Sequence, residues 1–255
     1  MNIRSGFSDI SIAQLLLVTC VALFASVVGG LAGYGTGALM PLVLVPLVGA
    51  EPVVPIIAIS AIFTNSSRFA AYLRYADFRR AGIVVAAAAL TTALGAYGYT
   101  RLSNAGAALV IGAMLISSVP LRRLLKRRDV KIGDTGLAAG AAGYGVLVGG
   151  TSGSGVILLS LLMAAGLEGA AVIATDAVIS VTTSVIKISV FGLSGVVTAQ
   201  VLALAVLIGA IALPGAFLAR IFVERMPVHI HTAILDVAVM VGGVVMISAA
   251  ARHLW

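Results

Sequence analysis

Apolar residues fall into ten runs along the chain, separated by glycine, proline or clusters of charge. In the first half the runs cover residues 11–31, 35–50, 53–75, 81–100 and 104–121. In the second they cover 134–150, 153–166, 169–192, 196–218 and 229–250. Most approach the roughly 20 residues that a helix needs to cross a bilayer. The pattern therefore predicts an all-α polytopic membrane protein of about ten transmembrane segments. The second run of each half is short and follows a glycine-rich knot: Gly29-Gly30-Leu31-Ala32-Gly33-Tyr34-Gly35-Thr36-Gly37, then Gly149-Gly150-Thr151-Ser152-Gly153-Ser154-Gly155. Those two runs predict half-helices, tilted pieces or re-entrant segments. In lipid a helix breaks only where protein or a water-filled cavity satisfies the freed backbone groups.

The two knots lie 118 residues apart, and the similarity extends beyond them. Gly35-Thr36-Gly37 aligns with Gly153-Ser154-Gly155, and Ile57-Ala58-Ile59-Ser60 with Ile173-Ala174-Thr175-Asp176. Gly95-Ala96 aligns with Gly215-Ala216 after a slip of two residues. The chain thus divides into two five-segment repeats, 1–128 and 129–255, forming one integrated transmembrane domain. An odd number of segments per repeat implies inverted topology. Matched helix breaks in two such halves point to a transport site between them.

Composition agrees with a membrane protein. Of 255 residues 61% are hydrophobic and 10% charged, and mean hydropathy is +1.16. Soluble domains carry about a quarter charged residues. The net charge of +7 changes the picture only through its placement. Arg122, Arg123, Lys126, Arg127, Arg128 and Lys131 form one basic loop between apolar runs, with no aromatic platform for nucleic acid. With the N-terminus outside, the cytoplasmic loops hold those six together with Arg74, Arg79, Arg80, Arg220 and Arg225, eleven in all. The outer side holds three: Arg4, Arg101 and Arg252. That bias satisfies the positive-inside rule, places the loop 122–131 in the cytoplasm and suits a bacterial inner membrane. A re-entrant piece would move the N-terminus to the other side. Leu23-Phe24-Ala25-Ser26 resembles a weak signal-peptidase site. The apolar run continues past it into a knot with a partner in the other half, so the segment reads as a mature helix.

Two cations remain inside the runs, Arg68 and Lys187, 119 residues apart. Each ends a polar stripe. Ser60, Thr64, Ser67 and Arg68 recur at helical spacing, with Asn65 beside them, and so do Asp176, Ser180, Thr183, Ser184 and Lys187. Together with Gly35, Thr36, Gly37, Ser152, Gly153 and Ser154 at the knots, these residues predict a shared cavity for an anion. Hydroxyls, helix N-termini and fixed cations would replace its hydration shell. The structural alternatives are cations that snorkel to the headgroups, hydroxyls bonded one turn back, and glycines in close helix contacts. Asp176 and Asp236 are the intramembrane acids and candidates for proton coupling; a buried structural ion pair is the alternative. Asp176 reaches Lys187 only if the helix bends or water bridges them. Glu51 and Glu168 read as solvated caps, and His229 and His231 as interfacial. Cys20 is the only cysteine, which excludes disulfides and cysteine-built metal sites within one chain. No cofactor or metal motif is present, and nothing resembles a P-loop, a zincin helix or a catalytic triad.

These features resemble the TauE/SafE family of sulfite and sulfonate exporters. The resemblance rests on Gly33-Tyr34-Gly35-Thr36-Gly37-Ala38 through Pro41, on Ala58-Ile59-Ser60, on Gly153-Ser154-Gly155 with Ala174-Thr175-Asp176, and on Pro214-Gly215-Ala216. The second repeat departs from the family pattern at Ser154, in place of a glycine, and at Ser160, in place of a proline. The resemblance implies movement of a small sulfur-containing anion or organic acid across the cytoplasmic membrane, usually outward. A secondary carrier working by alternating access is the leading expectation, with a homodimer compatible with it. An anion channel, a carboxylate carrier and a membrane-embedded enzyme or assembly subunit are the alternatives.

Overall fold

Among the residues described by the computed structural model, nine helices follow the apolar runs closely. It describes residues 7, 10–32, 35–127, 131–215, 217–219, 240–248 and 250–251, with backbone only at 31–32 and 122–127. They are α1 (Ile12–Ala32), α2 (Thr36–Val48), α3 (Val53–Tyr72), α4 (Phe78–Tyr99), α5 (Asn104–Arg127), α6 (Asp134–Gly150), α7 (Gly155–Ala164), α8 (Ala170–Leu193) and α9 (Ala199–Ala212). A further helical stretch occupies 240–248. No strand occurs among the described residues. Among the described residues, six helical stretches are long and apolar enough to cross a membrane, and the shorter apolar helices Thr36–Val48 and Gly155–Ala164 follow the two knots. The chain is a multi-pass helical membrane protein. Asp236, His229 and His231 lie outside the described residues.

Local chemistry sets several helix starts. Asp77 caps α4: its carboxylate accepts from the Arg80 backbone N–H at 2.9 Å and from the Arg80 guanidinium at 3.0 Å. Those bonds, the backbone one first, hold the Asp77 carboxyl below the usual carboxylate range. Thr198 caps α9 by accepting from Val201 N–H. Pro41 and Pro46 lie within α2, which is only 13 residues long.

The helices are drawn together by small residues, as is common where lipid removes the hydrophobic drive between them. Along α4 and α6, a side chain at Gly145 would collide with Thr91 and Ala88, and one at Gly149 with Thr92 and Ala96. One at Gly95 would collide with Val146 and Gly150. The two helices therefore run parallel and almost in backbone contact, with Arg79 pairing to Asp134 at their starts. Helix α8 runs parallel to α4 as well. Asp77 N–H donates to Thr175 Oγ1 at one end, and the Tyr99 and Phe191 rings meet edge-on at the other. A 3₁₀ turn at Leu73–Tyr75 reverses the chain between α3 and α4, so α3 and α8 lie antiparallel. The packing also comes in matched pairs: α3 on α9 echoes α8 on α4, and α1 on α9 echoes α6 on α4.

Candidate functional site

Both knots open into one cavity of about 120 Å³. Its walls come from each half: the end of α1 and start of α2, the α6–α7 break, and the facing stretches of α3 and α8. The knots also touch each other. Ser152 Oγ donates to the Gly37 carbonyl at 2.5 Å, and a Cβ on Gly37 would lie 3.3 Å from Gly153 N. Gly153 has a φ of +86°, which glycine adopts without strain. A Cβ on Gly35 would run into the Ala25 carbonyl and the Gly29 backbone. Glycine is required here by close approach, not only by breaking.

Two helix starts face this space. Neither Gly35, before α2, nor Ser154, before α7, makes a side-chain cap bond, and both residues line the cavity. The first turn of a helix carries N–H groups with no intrahelical acceptor and the positive end of the macrodipole. Two uncapped N-termini meeting in one cavity make an environment suited to negative charge.

The charged side chains are buried within the same space. Arg68 is 8% exposed and Lys187 5%, so neither reaches out to headgroups. Arg68 donates to Asp176 at 2.7 Å and also to the Asn65 amide oxygen, joining α3 to α8. Asp176 thus pairs across the halves with Arg68 rather than along its own helix with Lys187. The reason is reach: 11 residues of α-helix separate Asp176 from Lys187, a rise of about 16 Å. The second carboxylate oxygen, Asp176 Oδ1, makes no hydrogen bond within normal distance among the described residues. Lys187 Nζ makes only a long 3.5 Å bond to the Thr151 carbonyl, and no carboxylate pairs with it among the described residues.

The polar stripes contribute unequally. On α8 the whole stripe, Asp176, Ser180, Thr183, Ser184 and Lys187, lines the cavity. On α3 the lining positions are Ile57, Ala58, Ala61, Thr64, Asn65 and Arg68. Ser60 and Ser67 do not line it. Ser60 is wholly buried with its hydroxyl on the Ile57 carbonyl at 3.1 Å, and Ser67 donates to Leu213 O at 2.5 Å. The α3 face is centred on the i, i+3, i+4, i+7 set beginning at Ala61, which turns both serines onto its flanks. Thr64 and Thr183 line the cavity while bonding carbonyls on their own helices. From the knots Gly35, Thr36, Gly37, Ser152, Gly153 and Ser154 all line it. Tyr144, 2% exposed in the glycine- and alanine-rich α6, is a lining residue the polar-stripe pattern passes over. Its signal in the sequence is an aromatic hydroxyl set between Gly143 and Gly145.

Against this geometry the comparison with known families is decisive. The family model described as Sulfite exporter TauE/SafE matches residues 18–246. The chain belongs to this family. TauE/SafE membership makes it a membrane transporter of the sulfite-exporter class. Neither any curated protein nor any solved structure gives a match. In this TauE/SafE member no group of three or more His, Cys, Asp or Glu among the described residues is placed to hold a metal ion.

Proposed function

We propose that this TauE/SafE protein is a secondary carrier that exports a small anion, sulfite or a small organosulfonate or organic acid. It works by alternating access around the cavity between its halves. The observation that carries this reading is Lys187: a buried ammonium in a cavity fed by two helix N-termini, with no carboxylate paired to it among the described residues. A buried, uncompensated cation costs several kcal/mol, and an anionic cargo removes that cost when it binds. The antiparallel run of α3 and α8 and the matched helix contacts support two inverted repeats, 1–128 and 129–255, in about ten spans. In this arrangement the N-terminus lies outside and the basic loop 122–131 in the cytoplasm of a bacterial inner membrane. The protein partners lipid and small anions rather than nucleic acid, and a homodimer is compatible with it.

The test is binding to the purified protein of sulfite, thiosulfate, sulfoacetate, taurine and common carboxylates. One of these small anions should bind saturably, and Arg68→Ala or Lys187→Ala should each weaken that ligand tenfold or more. Wild-type affinity in both variants would remove these two residues from the site. Absence of binding by every anion tested would remove the anion-carrier reading itself.

A further inference from the structure

Among the described residues two tyrosines are buried, Tyr99 and Tyr144. Tyr99 donates its hydroxyl proton to the Ala50 carbonyl at 2.6 Å. The Tyr144 hydroxyl makes no hydrogen bond to any described residue, although a buried phenol ordinarily finds a partner. Its ring belongs to the apolar cluster that holds Leu158 and Ile179, and the residue lines the cavity. Beside it, Gly145 and Gly149 lock α6 against α4 and so fix where the ring stands. The wall from Tyr144 to the knot changes character along its length. Tyr144, Val148, Thr151 and Ser152 line the cavity at i, i+4, i+7 and i+8. The knot end is polar and carries the Lys187 ammonium, 3.5 Å from the Thr151 carbonyl. Val148 in the middle is apolar, and the far end is polar again at Tyr144. The helical rise from Tyr144 to Thr151 is about 10 Å. Hydrogen bonds of about 3 Å at each end leave about 4 Å between two polar atoms of a cargo. That is more than separates the oxygens of one acid group, and it suits an acid with a second polar group a short carbon chain away.

We infer that the Tyr144 hydroxyl is a second binding point for the cargo: it hydrogen-bonds a polar group at the far end of a short acid whose acid group sits beside Lys187. The inference rests on the anion-carrier reading above and narrows its substrate class to acids that carry such a second group. A bare acid such as sulfite fills only the Lys187 end. A phenol both donates and accepts, so a hydroxyl, a carbonyl or an ammonium on the cargo can pair with it. The carbon chain between the two polar groups lies along Val148. Tyr144→Phe removes the hydroxyl and leaves the ring, which isolates this one contact.

Hydroxyethanesulfonate and propanesulfonate make a clean pair for the test. They share the acid group, the charge and nearly the length, and differ in a terminal hydroxyl against a methyl. Binding of each is measured by calorimetry on the purified full chain in detergent, with sulfite alongside. Wild type should bind hydroxyethanesulfonate about fivefold or more tighter than propanesulfonate, the scale of one hydrogen bond made to a group otherwise left unpaired. Tyr144→Phe should abolish that preference by weakening hydroxyethanesulfonate alone, with propanesulfonate affinity unchanged. The wild-type ratio needs no variant, so it tests the inference even if Tyr144→Phe folds poorly. Equal binding of the two sulfonates by wild type overturns the inference. So does a preference kept in Tyr144→Phe, or a loss shared equally by both sulfonates in that variant, which would make the hydroxyl structural. Binding of sulfite with neither sulfonate bound also overturns it and leaves the carrier reading standing. If no anion binds wild type, the carrier reading itself falls and this inference with it.

Discussion

Lys187 is the residue whose environment makes least sense in an isolated protein. Its ammonium has the Thr151 carbonyl at 3.5 Å and no acid paired to it among the described residues, although it is almost completely buried. Selection for stability alone would place an apolar side chain there. Lys187→Met keeps the length, removes the charge and should raise the melting temperature of the empty protein. A gain of about 1 kcal/mol corresponds to roughly 2–4 °C for a chain of this size. The same variant should lose all stabilisation by added anion, which in the parent follows mass action. Thermal unfolding with and without sulfite checks both halves. A lower melting temperature for Lys187→Met would mean that the amine serves the fold rather than the cargo. The polar residues of α8 were legible one by one from their spacing, because every member of that stripe faces the cavity. On α3 the spacing misled at Ser60 and Ser67. A stripe fixes a face only to within a flank, and those hydroxyls are satisfied by the Ile57 and Leu213 carbonyls.

At the level of the helices, position followed from hydropathy and the ends did not. Helix α5 continues to Arg127 although its apolar run stops at 121, since lysine and arginine are good helix formers that leave the lipid without leaving the helix. Helix α4 begins at Phe78 rather than 81 because Asp77 supplies a cap that hydropathy ignores. The α4–α6 seam was legible only as the alternative in which glycines make close helix contacts, because spacing in one dimension does not say which helix they meet. Gly149→Leu should therefore be severely destabilising, since even a Cβ there meets the Thr92 carbonyl and Ala96 N. Gly143, one helix face away, meets nothing within 4 Å, and Gly143→Ala should be neutral or stabilising by up to about 1 kcal/mol. Folded yield and melting temperature in detergent separate the two. The Asp77 cap has a pH signature of its own. Its carboxyl is more acidic in the folded protein, so its contribution is full above the unfolded value near 3.9 and fades as pH falls through the folded one. Asp77→Ala should cost about 0.5–2 kcal/mol at pH 7. That deficit should shrink as the pH is lowered below about 4.

For the whole molecule the deciding question is whether the two halves move against each other or frame a fixed pore. Where the cavity lies, the contacts between them include polar ones: Arg68 with Asp176, and Ser152 with the Gly37 carbonyl. Polar contacts of this sort have water or cargo as ready alternative partners, whereas the glycine seam between α4 and α6 has none. Motion is thus easiest at the cavity and hardest along the seam, which joins the start of the second half rigidly to α4 of the first. A rocking carrier reorients faster when loaded from both sides. In liposomes containing labelled sulfite, unlabelled sulfite outside should accelerate loss of label, and net flux should saturate. A pore of the same selectivity would release label at a rate indifferent to what lies outside, with flux rising in proportion to concentration. Trans-acceleration in the parent that disappears in Lys187→Met would tie the moving step to occupancy of this cavity. Its absence in the parent, with unsaturable flux, would turn the protein into a channel and leave the knots as selectivity elements in a static wall.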